Sequence, residues 1–162
     1  MEATVLNNIP FQINIAQLLK NLDKQKFAYS EERVKELADI ASSIGRPKAI
    51  YKEAYVENRD GDTLIIDGMK FSGRVISVNL AEVHKVVAYV ITSGNELEEW
   101  SQSFDNDLDR AYLGAIKELV LLAALEFVYQ EIDEKYNFPK ASNMNPGSLK
   151  DWPLTEQNSL FA

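Results

Sequence analysis

Apolar side chains recur at a helical spacing near the start of the chain, and this pattern predicts two helices. In the first, from residue 13 to residue 22, the apolar positions on one helical face are Ile15, Leu18, Leu19 and Leu22. The second helix begins after Ser30, a residue type that caps helix N-termini, and ends before Gly45 and Pro47.

The next segment changes from a helical spacing to β-branched and aromatic residues, which predicts strands. Residues 48–71 contain Asp-Gly turn pairs at 60–61 and 67–68, and we expect two or three short antiparallel strands there. Residues 72–83 fit either a short helix or a strand. The apolar run that follows, residues 84–94, predicts a buried strand.

The second half of the chain returns to a helical pattern. A short helix is predicted from Asn95, and the longest element begins at Asp105 or Asp107 and ends at Pro139. From residue 113 to residue 128 this element is apolar around most of its circumference, which predicts a helix buried on all sides. The pattern therefore predicts helices, short antiparallel strands and one long buried helix.

Composition and charge exclude several classes of partner. The length of 162 residues and the hydrophobic fraction of 46% suit a single domain over residues 1–162. A net charge of -8 gives no attraction to nucleic acid or to anionic membrane surfaces, and no apolar stretch approaches the roughly 20 residues of a membrane helix. Cysteines are absent and no signal-peptide pattern is visible, so we expect a cytoplasmic protein that binds neither nucleic acid nor membrane.

No constellation of catalytic or metal-binding residues is visible. His84 is the only histidine, and no carboxylate lies at a spacing typical of a triad or a metal site. Six acids lie between residues 96 and 109, where two predicted helices begin, and negative charges stabilise helix N-termini. A metal or general-base role for these acids is the alternative. We predict no catalytic residue and no metal ligand, which leaves open whether the protein is an enzyme.

The C-terminal tail contains many residues that restrict the backbone. Pro146 followed by Gly147 predicts a type II turn. Pro153 is predicted to open a helix at its first position, with Asp151 as the cap and Glu156 in the first turn, where a negative charge is favourable. Such a loop is either a ligand-binding loop or a structural cap over the long helix.

Three segments carry a resemblance to a known family: "VVAYVITSGNELEEW", "DRAYLGAIKELVLLAALEFVYQEI" and "NPGSLKDWPLTEQNSLF". They are similar to the family's apolar strand with a Thr-x-Gly turn, to its long alanine-containing helix, and to its Pro-Gly-Tyr loop with the helix that follows. On these residues the chain resembles the reactivation (S-adenosylmethionine-binding) domain of cobalamin-dependent methionine synthase, a methyltransferase that uses vitamin B12. It resembles the stand-alone bacterial proteins related to that domain more closely still. The resemblance covers roughly residues 30–162.

The resemblance implies a methionine synthase activation domain-like fold of the α+β class, with helices around a twisted antiparallel sheet and one long buried helix. It also implies a role in reductive reactivation. In that enzyme the domain presents S-adenosylmethionine to the cobalt of cobalamin, so it positions a methyl donor and supplies no acid, base or nucleophile. The family's loop corresponds to the ligand-binding candidates of this chain: Asn143, Pro146, Gly147, Ser148, Asp151 and Glu156. The implied partner is a corrinoid protein or a cobalamin-dependent methyltransferase, which would hold the cobalamin.

Two departures from the family's loop lead to an alternative. The family has an Arg just before its Pro-Gly-Tyr element, where this chain has Asn143 or Met144, and the family's Tyr is Ser148 here. A guanidinium is a bidentate partner for a carboxylate, and Lys140, the nearest cation, is not an equivalent fork. The alternative is a non-catalytic interaction module that retains the fold and has lost the donor site.

Family members also continue past the helix at the end of this chain with further strands. We therefore expect a chain that is short or truncated at its C-terminus. A missing strand pair would expose a sheet edge, which favours a homodimer or a protein partner.

Overall fold

The computed structural model of the chain describes residues 2–26, 28–138 and 140–162. Its elements confirm the predicted α+β class. In chain order they are β1 (Thr4–Leu6), α1 (Ile15–Lys24), α2 (Glu31–Ile44), β2 (Lys48–Asp60), β3 (Thr63–Ile66), β4 (Met69–Ser72), α3 (Arg74–Asn79), β5 (Lys85–Thr92), α4 (Asn95–Gln102), α5 (Asp107–Tyr136), a 3₁₀ turn (Leu154–Glu156) and α6 (Gln157–Phe161).

The chain forms two compact units, each built from segments that are distant in sequence. The helical unit comprises Val5–Ala49 and Ile91–Lys135. The sheet unit comprises Ile50–Val90, Tyr136–Ala162 and the residues up to Thr4. The expectation of one domain over the whole chain stays a prediction.

The helical unit is held together by the apolar faces of its helices. The predicted cap of α2 is confirmed, because the Ser30 hydroxyl accepts a hydrogen bond from the backbone N–H of Arg33 at 3.3 Å. Asn14 caps α1 in the same way, with Gln17 as the donor at 3.0 Å. The core brings together buried residues from α1, α2, α4 and α5: Leu18, Leu22, Val34, Leu37, Leu97, Leu113, Ile116 and Val120.

Strand β2 is the central strand of the sheet. It pairs antiparallel with β3, which pairs antiparallel with β4, and β1 and β5 also pair with β2. Turns form at both Asp-Gly pairs as predicted, the first beginning at Asp60, the last residue of β2. Gly61 and Gly68 have φ values of +57° and +78°, which glycine adopts without strain. The core of the sheet unit contains Ala54, Val56, Leu64, Ile66, Phe71, Ile76, Leu80 and Trp152.

The structure decides the ambiguous segment between β4 and β5 and corrects the prediction for β5. Residues 72–83 contain the helix α3, so the helical alternative is the right one. The expectation that β5 is buried is wrong, because its residues are half-buried or exposed along its length. Within the described ranges β5 pairs with β2 alone, and solvent therefore reaches a strand whose composition is that of a core strand.

Helix α5 is as long as predicted but is not buried on all sides. It has 30 residues, which gives a length of about 45 Å. Leu113, Ile116 and Val120 lie on the stripe that enters the core, whereas Leu121 and Leu122 are 39% and 49% exposed. Pro139, the expected end of the helix, lies outside the described residues. No helix in the described ranges is both long and apolar enough to cross a bilayer.

The acids between residues 96 and 109 begin helices and form ion pairs. Glu96 and Glu98 lie in the first turn of α4, and Asp107 and Asp109 lie in the first turn of α5, as the helix-terminus interpretation predicts. In the part of the chain that the structure describes, no group of three His, Asp or Glu side chains is arranged to hold a metal ion. The side chain of His84 is exposed.

Candidate functional site

The C-terminal tail folds into two successive turns over residues 143–152, which we call the tail loop. In the first turn, the backbone N–H of Ser148 donates to the carbonyl of Asn145 at 3.2 Å. Gly147 occupies the third position with a φ of +87°, the left-handed value that a type II turn requires. The turn predicted at Pro146 and Gly147 is therefore confirmed.

The second turn closes onto the first. The N–H of Trp152 donates to the carbonyl of Leu149 at 3.2 Å, and the N–H of Gly147 donates to the carbonyl of Trp152 at 2.7 Å. The hydroxyl of Ser148 also donates to the carbonyl of Asn145, at 2.6 Å. The tail loop is thus fixed by its own hydrogen bonds, as an ordered loop must be if it is to hold a ligand.

Trp152 anchors the tail loop in the core of the sheet unit. Its side chain is 6% exposed and packs among the residues of that core. The backbone of the loop passes so close to Gly73 that a Cβ there would lie 2.6 Å from the carbonyl oxygen of Asp151. Position 73 must therefore be glycine for the loop to pack as it does.

Two side-chain contacts tie the loop to neighbouring elements. The hydroxyl of Tyr89, in β5, donates to Oδ1 of Asn145 at 3.2 Å. The amide of Asn79, at the end of α3, lies 3.1 Å from the sulfur of Met144 and donates to it. These contacts place the loop beside the end of α3 and the middle of β5.

Glu156 stabilises the sheet unit through one oxygen of its carboxylate. Its Oε2 accepts a hydrogen bond from the backbone N–H of Ser72, the last residue of β4, at 2.7 Å. Since Ser72 lies at the end of its strand, the carboxylate satisfies a donor that the sheet leaves unpaired. Glu156 does lie in the first helical turn of the tail, as predicted.

The structure places five of the six candidate residues in the tail loop and Glu156 in the 3₁₀ turn that follows, and it exposes them unequally. Pro146 is buried, Glu156 is half-buried, and the others are exposed: Asn143, Gly147, Ser148 and Asp151. The predicted capping role of Asp151 is wrong. The 3₁₀ turn begins at Leu154 with Pro153 in the cap position and no side-chain cap, because Asp151 is held in the preceding turn.

Arg74 is a candidate that the sequence reasoning missed. It follows Gly73 directly, so its backbone lies next to the contact between Gly73 and the tail loop. Its side chain is exposed and forms no ion pair among the described residues. The other arginine of the sheet unit, Arg59, donates instead to the carbonyls of Leu80 and Val83.

Replacing Gly147 with Ala should destabilise the tail loop by about 1–2 kcal/mol, because a side chain at this positive φ is strained. The new Cβ would also lie 2.9 Å from Cδ1 of Leu154. The matched control is Gly114→Ala, in the middle of α5, where no atom lies within 4 Å of the added Cβ. The free energy of unfolding of that variant should rise by up to about 1 kcal/mol, because Ala favours a helix more than Gly does. Urea unfolding of both variants measures the difference, and equal stabilities would contradict the strained turn.

A buried carboxylate elsewhere in the sheet unit has the appearance of a catalytic group. Glu53 is 6% exposed, accepts a hydrogen bond from the hydroxyl of Tyr55, and lies 2.9 Å from the ammonium of Lys85. The pKa of Glu53 is lowered, mainly by the hydrogen bond from Tyr55 and next by the hydrogen bond from Lys85. The hydrogen bond to Glu53 in turn raises the pKa of Lys85. Both shifts keep the two groups charged at neutral pH, as an ion pair.

Glu53 should make stability depend on pH on the acid side. Its pKa is lower in the folded than in the unfolded chain, so its contribution is complete above the ordinary glutamate pKa and is lost as the pH falls through the folded value. Tyr55→Phe removes the largest cause and should raise the pKa of Glu53. Carbon-13 NMR of the Glu53 carboxyl checks this, and an unchanged midpoint in Tyr55→Phe would show that the hydroxyl has no such effect.

Comparison of the chain with family models and with curated protein sequences gives no significant match. The function proposed below therefore depends on the residues of the chain and on the geometry of the tail loop.

Proposed function

We propose that this protein is an accessory domain of the methionine synthase activation type, with that domain's fold. It binds S-adenosylmethionine or a similar small ligand beside the tail loop and acts on a corrinoid protein, which holds the cobalamin. The observation that carries the proposal is the ordered turn at Pro146 and Gly147, seated on the buried Trp152. A tail that served only as a connector would need neither the two locked turns nor the close contact with Gly73.

The exposed backbone of the loop supplies donors that suit an anionic group of a ligand. The N–H groups of Lys150 and Asp151 form no hydrogen bond within the described part of the chain, and both residues are exposed. Backbone N–H groups that point out of a turn are common partners of carboxylates and phosphates. Arg74, beside the loop, is the guanidinium available to a ligand carboxylate.

The proposed role is positioning. The described residues of the loop include no histidine, and Ser148 donates its proton within the loop, so we assign no nucleophile there. A loop that holds a methyl donor in a fixed orientation against a partner's reactive centre accelerates transfer by proximity. The chemistry of methyl transfer belongs to the donor and to the corrinoid of the partner.

The alternative is a non-catalytic interaction module that has the same fold and no donor site. It is favoured by the absence of an Arg at Asn143 or Met144, and by the internal hydrogen bond of the Ser148 hydroxyl. Such a module would dock on a corrinoid protein or a methyltransferase without binding the small ligand.

Isothermal titration with S-adenosylmethionine, with and without a corrinoid protein, separates the two. Binding in either arm supports the donor site, whereas no heat in both arms refutes it. Co-purification with a corrinoid protein in the absence of ligand binding selects the interaction module.

Arg74→Gln should weaken S-adenosylmethionine binding about tenfold or more, because a charge-assisted bidentate bond is worth about 1.5–3 kcal/mol. The matched control is Lys70→Gln, which removes an exposed cation from β4 in the same unit. The same titration measures both variants. An equal loss in the two would mean that net charge, and not a guanidinium at position 74, determines affinity.

A further inference from the structure

A shallow groove in the helical unit lies between the C-terminal end of α4 and the first half of α5. Its volume is about 360 Å³, and its lining residues are Ser101, Gln102, Arg110 and Lys117. All four side chains are polar, two are cations, and none is an acid. Each of the two cations has an exposed acid as a neighbour outside this lining, Asp105 for Arg110 and Glu98 for Lys117.

A hydrogen bond holds one edge of the Arg110 guanidinium, and the other edge is available to a ligand. Its Nε donates to the carbonyl of Phe104 at 2.7 Å. Its NH2 group lies 4.0 Å from a carboxylate oxygen of Asp105, whose side chain is fully exposed, so this attraction is screened by water. Among the described residues the two terminal nitrogens have no closer acceptor, and they form the planar fork that binds oxyanions in a bidentate manner.

Lys117 is held at the other end of the groove. Its ammonium donates to Oε2 of Glu98 at 2.7 Å and to the hydroxyl of Ser101 at 3.1 Å, which leaves one N–H for a ligand. The hydrogen bond from Lys117 lowers the pKa of Glu98, so this carboxylate stays ionised and keeps the ammonium in place. Glu98 also repels an anion, and a ligand must therefore engage Arg110 as well.

The remaining lining residue adds a donor. The amide of Gln102 donates one proton to Oε1 of Glu98 at 3.3 Å and has a second proton to offer. Arg110 and Lys117 are seven residues apart on one helix, which separates their backbones by about 10.5 Å along the axis. However, their charged ends contact Phe104 and Ser101, which lie three residues apart, so a ligand that reaches both cations carries two neighbouring anionic groups.

We propose that this groove binds a small diphosphate, with one phosphate on the guanidinium of Arg110 and the other on the ammonium of Lys117. The site lies within the helical unit and does not depend on the proposed function of the tail loop. A free diphosphate and the diphosphate of a nucleotide present the same chemistry to the two cations.

Titration of the labelled protein with inorganic pyrophosphate, followed by proton–nitrogen NMR, tests the site. Saturable shifts are expected at Gln102, Arg110 and Lys117, and binding should weaken at least tenfold in Arg110→Gln and in Lys117→Gln. The matched control is Lys35→Gln, which removes a cation from α2 that pairs with the exposed Glu31 at 3.3 Å. That variant should bind pyrophosphate as the unchanged chain does.

Two further arms make the result decisive. Inorganic phosphate should bind at least tenfold more weakly than pyrophosphate, since it reaches only one cation. If ADP binds more tightly than pyrophosphate, the site recognises the diphosphate of a nucleotide. If the two bind equally, the site recognises the diphosphate alone. Chemical shifts that do not saturate would overturn the proposal. So would an equal loss of pyrophosphate affinity in Lys35→Gln and Lys117→Gln. Circular dichroism confirms that each variant is folded, and Lys117→Gln carries the test if Arg110→Gln is not.

Discussion

Replacing Trp152 with Ala is expected to lower the free energy of unfolding by about 3–5 kcal/mol. The indole is 6% exposed and packs in the same core as Leu64, Phe71 and Ile76. Its removal leaves a cavity under the tail loop, and the close packing at Gly73 limits how far the backbone can collapse into it. Urea unfolding followed by circular dichroism measures the loss.

The control for this variant is Trp152→Phe, which keeps an aromatic ring in the core. The indole Nε1 is buried and has no hydrogen-bond partner among the described residues, so its loss should cost little. We expect a loss below about 1.5 kcal/mol. If Trp152→Ala costs less than Trp152→Phe, the indole does not anchor the loop.

Replacing Asp109 with Ala is expected to lower the free energy of unfolding by about 2–3 kcal/mol, because it leaves the Arg33 guanidinium without its principal partner. The carboxylate is 12% exposed and receives two hydrogen bonds from Arg33, at 2.7 and 3.2 Å. This bidentate pair joins the start of α2 to the start of α5. Because the side chain of Arg33 is 35% exposed, we expect a smaller loss in the free energy of unfolding than for a fully buried ion pair.

Glu36→Ala is the matched control for the Asp109 variant. It removes the other acid on the same guanidinium, an exposed neighbour on α2 at 2.8 Å. Such a pair contributes about 0.5 kcal/mol or less. Thermal unfolding of the two variants at several salt concentrations compares them. Equal losses would contradict a special role for the bidentate pair.

The features that the sequence predicted well are those that depend on neighbouring residues. Ser30 caps its helix, and the turn at Pro146 and Gly147 forms, because the side chains and backbone preferences that decide them lie within four residues. This turn could therefore be predicted from local chemistry alone, whereas the second turn of the loop, which contains Asp151, could not.

The features that the sequence did not reveal depend on contacts between distant residues. The apolar surface of α5 gives no sign that Leu121 and Leu122 face solvent, because composition does not show which neighbours cover a helix. In the same way, Glu156 was identified as a candidate ligand residue. Only the fold shows that it pairs with Ser72, which lies 84 residues earlier in the chain.

The distance in sequence between Gly73 and Trp152 also affects the order in which the protein becomes structured during synthesis. The ribosome must complete α5 and nearly the whole tail before the indole is available to the strands made first. Contacts between residues so distant in sequence form slowly. Until these contacts form, the apolar strands are not covered by Trp152 and the tail loop. We therefore expect β2 to β4 to be most prone to aggregation in nascent chains that end before residue 152.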